Sequence, residues 1–282
     1  VITSIRVHQW TKNFLLFVPA LLSFKSFPNI TENLVFGFVA FSLISSAFYI
    51  FNDLLDIEND RLHHSKKYRS FASSSLSITQ GFFIFCILII SATIISVNLS
   101  QSFQGLLIIY SIVSIIYSKY IKKIPILDIL TLSFLYLLRL IAGGALLGIT
   151  ISNWLLTFSV FFFLFLASVK RWVELKKTNK INPSGRGYLK SDIPFVNNLS
   201  YFSGLICVLV SCLYIESQQT DELIKNSKLL WLMPVLLLFW ILETLFKVER
   251  NSIDDDPVKY ALKSKTSYIC LFGFFLIILF NI

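Results

Sequence analysis

Long apolar runs recur along the chain and are separated by polar segments. Nine such runs occur, at about residues 14–27, 34–51, 82–97, 105–118, 125–148, 153–169, 195–215, 229–246 and 266–281. A membrane-spanning helix needs about 20 apolar residues, whereas the strands of a membrane barrel alternate apolar and polar positions. The unbroken runs therefore predict helices. We expect the shorter runs to cross with the help of tilt, flanking residues or local bilayer thinning.

The composition places these helices in a membrane. Hydrophobic residues make up 55% of the 282 residues and charged residues 15%, whereas charged residues make up about a quarter of a typical soluble chain. No soluble domain of ordinary size remains once the apolar runs are removed. We predict a single all-α integral membrane domain over residues 1–282 with nine transmembrane helices. We also expect no cleavable signal peptide, and a start residue or short segment trimmed before Val1.

The basic residues are concentrated in alternate connecting segments. Of the 25 Lys and Arg residues, 21 lie in segments that the nine-helix count places on one side, namely the N-terminal segment and loops 52–81, 119–124, 170–194 and 247–265. The positive-inside rule makes this side cytoplasmic. We therefore predict a cytoplasmic N-terminus and an outside C-terminus. The same distribution accounts for the net charge of +9 without nucleic acid as a partner.

Four oxygen-bearing side chains end the second apolar run: Asn52, Asp53, Asp56 and Asp60. On a continuing helix Asn52, Asp56 and Asp60 recur every four residues and share a face, with Asp53 beside them. Crowded carboxylates repel one another unless a cation lies between them. Oxygen ligands that share a cation with a phosphate-bearing substrate suit Mg²⁺. The cluster therefore predicts a Mg²⁺ site at a helix end.

A basic tract follows the carboxylates directly and offers partners for phosphate oxygens that a metal leaves free. Its members are His63, His64, Lys66, Lys67 and Arg69. The alternative is a solvated helix end whose acids pair with Arg61, Lys66 and Lys67. Because the polar groups gather at one face, the pattern favours an enzyme that joins a soluble substrate to a lipid one. A transporter more often spreads its function through the membrane midplane.

These residues resemble the UbiA superfamily of intramembrane prenyltransferases, whose first motif is similar to Asn52–Asp60. Within it, the chain is most similar to the decaprenyl-phosphate phosphoribosyltransferases. The further segments that carry the resemblance are Arg6–Asn13, Asp60–Arg69, Tyr117-Ser118, Asp128, Arg139–Gly144, Lys170–Leu175 and Asp256-Pro257. Departures from the family pattern stand at His64, Ser70, Ser74, Asp192 and Ser264, and they leave the exact donor open.

The resemblance implies a UbiA-type helix bundle around a cavity open to the cytoplasmic face. It implies Mg²⁺-dependent transfer of a phosphoribosyl group from 5-phosphoribosyl diphosphate to a polyprenyl phosphate, with Asp53, Asp56 and Asp60 as catalytic residues and Asn52 as a fourth metal ligand. Resemblance and side-chain chemistry together predict substrate-binding residues at Gln9, Lys12, Asn13, Lys66, Arg69, Tyr117, Lys122, Arg139, Lys170, Arg171, Glu174 and Arg186.

Several of these residues have a second interpretation. Gln9, Lys12 and Asn13 could be interfacial anchors beside Trp10. Lys122 and Lys170–Lys177 could mark the cytoplasmic side. Arg139 could serve the cavity or a neighbouring helix. Asp128 lies about 16 Å from Arg139 along a helix, so we expect no direct pair. Glu243 has no assigned role.

The second cytoplasmic segment decides between two branches of the superfamily. Prenyltransferases that act on aromatic acceptors usually carry a second aspartate-rich motif there, whereas this chain has Lys170-Arg171-Trp-Val-Glu174. Cations in that place favour direct contacts to phosphates. Transfer of a prenyl group from its diphosphate to a small or aromatic acceptor is therefore the alternative enzyme activity. A transporter or lipid-binding protein is the alternative of another class, and prenyl length, pathway and homo-oligomer formation stay open.

Overall fold

The computed structural model describes residues 2–23, 30–62, 66–177, 186–217, 227–253, 260–261 and 264–281. Within these ranges all regular structure is helical. A 3₁₀ helix at Val7–Phe17 and a short α-helix at Val18–Leu22 come first. The long helices are α1 Ile30–Leu55, α2 Ile78–Ser96, α3 Gln101–Lys119, α4 Leu127–Leu147, α5 Asn153–Lys177, α6 Ile193–Ile215, α7 Leu232–Glu249 and α8 Lys265–Asn281.

The prediction of a multi-pass helical membrane protein is confirmed. In the described part of the chain, six helices (α1 to α6) are long and apolar enough to cross a membrane, and α8 contains a shorter apolar stretch, Lys265–Ile277. Each of the nine apolar runs overlaps a described helix. The count of nine spans, the cytoplasmic N-terminus and the cavity at the cytoplasmic face stay predictions.

The first apolar run is not one long α-helix. It divides into the 3₁₀ helix Val7–Phe17 and the short α-helix Val18–Leu22, which has Pro19 in its first turn. Proline lacks a backbone N–H, and its ring clashes with the carbonyl four residues earlier, so a continuous α-helix through this point is disfavoured. The first turn of a new helix tolerates proline. The N-terminal segment therefore changes its helical type just before Pro19.

The described helices fall into two compact units. Unit 1 comprises Val1–Ile151 and Ser184–Gly187. In unit 1, α1 packs against α2, α3 and α4, and the 3₁₀ helix packs against α1 and α4. The apolar windows of α1 and α4 are 61% and 67% buried, against 17% for α2. Helices α1 and α4 are therefore the inner helices, and α2 exposes most of its apolar surface.

Unit 2 comprises Ser152–Pro183 and Tyr188–Ile282. Helix α6 packs against α5 and α7, and α7 also packs against α8. Buried aromatic side chains on α5 and α7 fill the centre, with Phe165 and Trp240 rings 6.1 Å apart between centroids. Trp240 also donates its indole N–H to Ser267 on α8 at 2.9 Å, so a polar contact fixes the last helix. The prediction of one domain over residues 1–282 stays a prediction.

The 3₁₀ helix approaches α4 at Gly143. A Cβ at this position would lie 2.1 Å from the carbonyl oxygen of Leu16 and 2.9 Å from its Cα. Both are backbone atoms, which cannot rotate away as a side chain can. Glycine at residue 143 thus allows the N-terminal segment to lie directly on the inner helix.

We predict that Gly143→Ala lowers the free energy of unfolding by about 1–3 kcal/mol, because the added methyl group overpacks this contact. The measurement is the Tm of purified protein in detergent. Gly105→Ala is the control, since a Cβ there meets no atom within 4 Å. Equal melting of both variants would contradict the assigned role of Gly143.

Candidate active site

The carboxylate cluster begins at the end of α1. Helix α1 ends at Leu55, and Asp56 departs from helical geometry (φ −102°, ψ 8°) before a short helix at Ile57–Arg61. Asn52 Nδ2 donates to Asp56 Oδ2 at 3.1 Å. Arg69 Nη1 donates to Asp53 Oδ1 at 3.1 Å and to Asp60 Oδ2 at 2.8 Å. The four side chains thus form two pairs, Asn52 with Asp56 and Asp53 with Asp60.

This pairing differs from the expected single face of Asn52, Asp56 and Asp60. Each residue turns an α-helix by about 100°, so eight residues leave a mismatch of roughly 80° but seven leave only about 20°. Asp60 is seven residues from Asp53 and eight from Asn52. Although Asp56 departs from helical angles, the N–H groups of Asp56 and Asp60 still donate to the carbonyls four residues earlier, so the helical spacing continues. This spacing favours Asp60 beside Asp53, and Arg69 joins the two.

Arg6 is the second cation at Asp53. Its Nη2 atom donates to both carboxylate oxygens of Asp53, at 2.5 and 2.7 Å, and its guanidinium lies 5.3 Å from the centre of the Tyr49 ring. The backbone of Arg6 is left-handed (φ 54°, ψ 49°), which is uncommon for a residue other than glycine. Asp53 is buried, so two guanidinium groups compensate its charge.

Lys122 occupies the other pair. Its side chain is buried, and Nζ donates to Asp56 Oδ1 at 2.5 Å and to Asn52 Oδ1 at 3.3 Å. Two oxygen atoms from successive turns therefore converge on one positive charge. This contact argues against a mere marker of the membrane side, which would remain solvated, and substrate binding by Lys122 stays a prediction.

Burial raises the pKa of the Asp60 carboxyl above its ordinary value, and the nearby charge of Asp53 acts in the same direction. The guanidinium of Arg69 and the charge of Lys66 oppose this rise in the pKa of Asp60. Arg69 thus favours the ionised form of the Asp60 carboxyl. Substrate binding by Lys66 and Arg69 stays a prediction.

The donor chemistry of the cluster fits a divalent cation. All four side chains offer oxygen, and each pair converges on a positively charged nitrogen, Lys122 Nζ or Arg69 Nη1. Within the described ranges, no group of three or more His, Cys, Asp and Glu side chains is placed to hold a metal ion together. Mg²⁺ does not need three protein carboxylates, since it usually takes one or two together with substrate phosphates and water. The four ligands stay a prediction with suitable chemistry.

Arg139 anchors the N-terminal 3₁₀ helix. Its guanidinium donates to Asn13 Oδ1 at 2.9 Å, to the Tyr110 hydroxyl at 3.0 Å and to the carbonyl of Leu135. Asn13 donates in turn to Ser42 at 2.9 Å. The contacts run to the N-terminal helix and α3, so Arg139 serves neighbouring helices, and substrate binding by Arg139 stays a prediction. No pair between Arg139 and Asp128 was expected, and each has other partners.

Gln9, Trp10 and Lys12 lie on the same 3₁₀ helix as Asn13. Lys12 is buried, with Nζ 5.8 Å from the centre of the Tyr136 ring. Trp10 donates to Ser46 at 2.9 Å. The buried Oε1 atom of Gln9 has no hydrogen-bond partner in the described part of the chain. Burial of Lys12 argues against a purely interfacial anchor, and substrate binding by Gln9, Lys12 and Asn13 stays a prediction.

A separate polar cluster surrounds Asp128 at the start of α4. Asp128 Oδ1 accepts from the Tyr117 hydroxyl at 2.8 Å and from Arg186 Nη1 at 3.0 Å. Arg186 also lies 3.3 Å from the Tyr117 oxygen. Asp128 thus brings together Tyr117 and Arg186, two predicted substrate-binding residues. From sequence, Asp128 itself had no role beyond its part in the family resemblance.

The second cytoplasmic segment belongs to unit 2. Arg171 is buried, pairs with Glu174 and lies 5.4 Å from the centre of the Tyr188 ring. Lys176 donates to the carbonyl of Glu249 at 2.7 Å, at the end of α7. A role of Lys170, Arg171 and Glu174 in substrate binding stays a prediction. His63, His64 and Asp256 lie outside the described residues.

Sequence reasoning missed two sets of contacts. Arg6 entered only as part of a resembling segment, because nothing local links it to Asp53, 47 residues later. Glu243 had no role, but it accepts from Thr266 at 2.8 Å and pairs with Lys247, which donates to Tyr260 at 2.6 Å. The helical spacing of Glu243 and Lys247, four residues apart, was the available signal.

We predict that Lys122 and Asp56 are energetically coupled. Lys122→Met and Asp56→Asn should each lower the free energy of unfolding by about 1–3 kcal/mol, because each leaves a buried or half-buried partner without its opposite charge. The double variant should lose less than the sum, since no unpaired charge remains. Tm is measured in detergent with a chelator present.

The control pair is Lys176 and Glu249, whose nitrogen and oxygen lie 3.1 Å apart but whose Glu249 side chain is 63% exposed. Exposed pairs contribute at most about 1 kcal/mol, so coupling there should be small. Additive effects of Lys122→Met and Asp56→Asn would contradict the buried pair.

Solved structures show which fold this arrangement belongs to. A UbiA homologue from Archaeoglobus fulgidus bound to DMAPP and Mg²⁺ is similar over 98% of both chains, with a TM-score of 0.75 at 14% sequence identity. A digeranylgeranylglyceryl phosphate synthase is similar over 99% of this chain and 94% of its own, with a TM-score of 0.65 at 17% identity. At these identities the likeness establishes the fold.

Three relatives are similar to this chain in sequence over most of its length. The uncharacterized protein y4nM of Sinorhizobium fredii is 34% identical over 95% of this chain, which spans only 53% of that relative's length. The nodulation protein NoeC of Azorhizobium caulinodans is 30% identical over 95% of this chain and 88% of its own. A decaprenyl-phosphate phosphoribosyltransferase of Mycolicibacterium smegmatis is 30% identical over 73% of this chain and 68% of its own length. The UbiA prenyltransferase family model matches residues 14–173, and the chain belongs to this family.

Proposed function

We propose that this chain transfers the 5-phosphoribosyl group of 5-phosphoribosyl diphosphate to a polyprenyl phosphate and releases diphosphate. The observation that carries the proposal is the direct pairing of cations with the first motif, Arg6 and Arg69 on Asp53 and Lys122 on Asp56. These cations bring the carboxylates close to neutrality. A divalent cation added to them would leave the site positive and suited to a donor with phosphates at both ends.

The similarity to a decaprenyl-phosphate phosphoribosyltransferase supports the same acceptor class. The lipid substrate would carry its phosphate on a long apolar tail, which a multi-pass helical protein can accommodate within the membrane. The concentration of Lys and Arg in alternate loops supports a site at the cytoplasmic face. There a soluble donor and a lipid acceptor would meet at the membrane boundary.

The reaction displaces diphosphate from the anomeric carbon of the ribose. An oxygen of the polyprenyl phosphate forms a bond to this carbon, and the carbon–oxygen bond to diphosphate breaks with its electron pair leaving on diphosphate. The acceptor phosphate is already ionised at neutral pH, since the second pKa of a phosphate monoester is about 6. No protein base is needed, so the side chains act by binding and orienting the reactants.

Mg²⁺ bound to Asn52, Asp53, Asp56 and Asp60 would supply charge neutralisation for the leaving diphosphate. Arg69 and Lys122 are suited to hold phosphate oxygens, because both already lie at the carboxylates. Arg is well matched to bidentate phosphate binding, whereas Lys offers a compact point charge. Asp53 pairs with Arg6 and Arg69 and therefore also orients these two side chains.

The alternative activity is transfer of a prenyl group from a prenyl diphosphate. Its support is the overall fold, which is similar to UbiA homologues bound to DMAPP or GPP together with Mg²⁺. The basic segment Lys170–Lys177 stands where an aspartate-rich motif would bind a second Mg²⁺. Its cations favour direct contacts to the phosphates of a phosphoribosyl donor. The similarity to y4nM and NoeC leaves the pathway open. Because this chain spans only 53% of the length of y4nM, the proposal concerns the activity of this chain and not that of a longer protein.

The test uses purified protein in detergent with polyprenyl phosphate, radiolabelled 5-phosphoribosyl diphosphate and Mg²⁺. We predict label in the organic phase only when Mg²⁺ is present. Asp56→Ala should lower the rate by about 10³-fold or more, since displacement relies on positioning and charge neutralisation.

Glu249→Ala, an exposed change in unit 2, should retain the wild-type rate and controls for expression and folding. A parallel reaction with prenyl diphosphate and an aromatic acceptor tests the alternative. Activity only in that reaction would replace the phosphoribosyl proposal, and metal-independent labelling would refute the role of the carboxylates.

A further inference from the structure

The connection between α3 and α4 contains a strained turn. At Ile126 the backbone has φ 68° and ψ −55°, and the N–H of Leu127 donates to the carbonyl of Pro125 at 2.8 Å. This is a γ-turn with positive φ, which is rare and strained, and a β-branched residue in it is a genuine outlier. Such strain persists only where surrounding contacts fix the backbone. Residues 121–127, called here the Lys122 turn, must therefore be held from outside.

Asp128 supplies one such contact, directly after the turn. Its side chain is completely buried, and Oδ1 accepts from Tyr117 on α3 and from Arg186. Its backbone N–H donates to the carbonyl of Ile124 within the turn, at 3.1 Å. Asp128 thus joins the turn to the preceding helix and to a segment almost 60 residues later in sequence.

The residue after Arg186 presses directly on the turn. A Cβ at Gly187 would lie 2.1 Å from the carbonyl oxygen of Lys123 and 2.9 Å from Cδ of Pro125. Backbone therefore rests on backbone, and only glycine allows this approach. The Asp128–Arg186 ion pair holds the segment where Gly187 covers the turn.

The other end of the turn reaches the carboxylates. Lys122 lies in the short 3₁₀ helix Ile121–Lys123, and its ammonium group contacts Asp56 and Asn52. Residues 123–127 are joined to this 3₁₀ helix by the N–H of Ile124, which donates to the carbonyl of Ile121 at 2.8 Å. The contacts at Asp128 and Gly187 thus act on the same short stretch of backbone that carries Lys122.

We propose that Asp128 is a positioning residue that, with Arg186 and Gly187, holds the strained Lys122 turn so that Lys122 reaches Asp56 and Asn52. Its effect on catalysis rests on the proposed function, whereas its effect on Lys122 does not. Asp128 is completely buried, so it acts through the turn rather than by touching substrate. Arg186 acts through its ion pair with Asp128, and loss of this pair releases Lys122 from Asp56 and Asn52.

The first experiment measures the accessibility of Lys122 without any substrate. Purified wild type, Asp128→Asn and Gly187→Ala are treated briefly with an acetylating amine reagent, and modified lysines are quantified by peptide mass spectrometry. We expect Lys122 modification to rise on the order of tenfold in both variants, within the range of coupling between neighbouring sites. Exposed Lys123 and Lys119 should react as in the wild type.

Two comparisons separate local release from loss of the fold. Lys12 is buried elsewhere in unit 1, so its modification should stay low if only the turn moves. Gly105→Ala, which meets no atom, should leave Lys122 protected. Unchanged labelling of Lys122 in both variants would overturn the proposal. An equal rise at Lys12 and Lys122 would also overturn it, since Asp128 would then merely stabilise the fold.

The second experiment is a double-mutant cycle in the phosphoribosyl transfer assay. Asp128→Asn alone should lower kcat by about tenfold, but it should cause little further loss in a Lys122→Met background, because both changes act on one group. Multiplicative losses would show that Asp128 acts independently of Lys122 and would refute the positioning role.

The two proposals can fail separately. If the wild type transfers no phosphoribosyl group but Lys122 becomes accessible in both variants, the proposed reaction fails and the role of Asp128 in placing Lys122 stands. If transfer occurs and Lys122 stays protected in both variants, the reaction stands and the positioning role fails.

Discussion

The central constraint on this protein is the concentration of negative charge at the end of an inner membrane helix. Asp53 and Asp60 are both buried, and buried carboxylates are costly unless they are paired. Arg6, from the N-terminal segment, pairs with Asp53, and Arg69, from the loop after α1, pairs with Asp53 and Asp60. Lys122, from the turn between α3 and α4, pairs with the neighbouring Asp56. Electrostatic compensation therefore brings three distant parts of unit 1 to one place.

The backbone adapts to these charge pairs. Arg6 and Ile126 both have positive φ, one beside a carboxylate partner and the other beside the lysine turn. Gly143 and Gly187 allow backbone to lie on backbone, under the N-terminal helix and over the turn respectively. Two of the four non-glycine residues with positive φ in the described part of the chain, Arg6 and Ile126, thus lie at or beside the cations that pair with the carboxylates. Such strain persists where surrounding contacts fix the backbone. The apolar helices supply the stability that offsets this local cost.

Much of the architecture was predictable from sequence, because hydropathy directly reflects membrane helices. The carboxylate cluster was predictable for a similar reason, since its four members are neighbours in sequence. The cations on Asp53 and Asp56 were not, because Arg6 and Lys122 are brought there only by tertiary packing. The expected spacing of four residues missed the pairing of Asp60 with Asp53, because seven residues come closer than eight to a whole number of helical turns. The first apolar run divides into two helices just before Pro19. Asp128 gained a meaning only when Arg186 was found beside it.

The cage around Arg139 has a consequence for biosynthesis. A guanidinium in the middle of an apolar helix is costly to leave unpaired in a membrane. The side chains that receive it, Asn13 and Tyr110, both precede it in the chain, and so do the aromatic rings of Phe41 and Tyr136 that lie over it. Because translation delivers the N-terminal part first, every one of these partners has been synthesised before Arg139. The order of residues along the polypeptide therefore allows Arg139 to be paired as soon as α4 packs against the earlier helices.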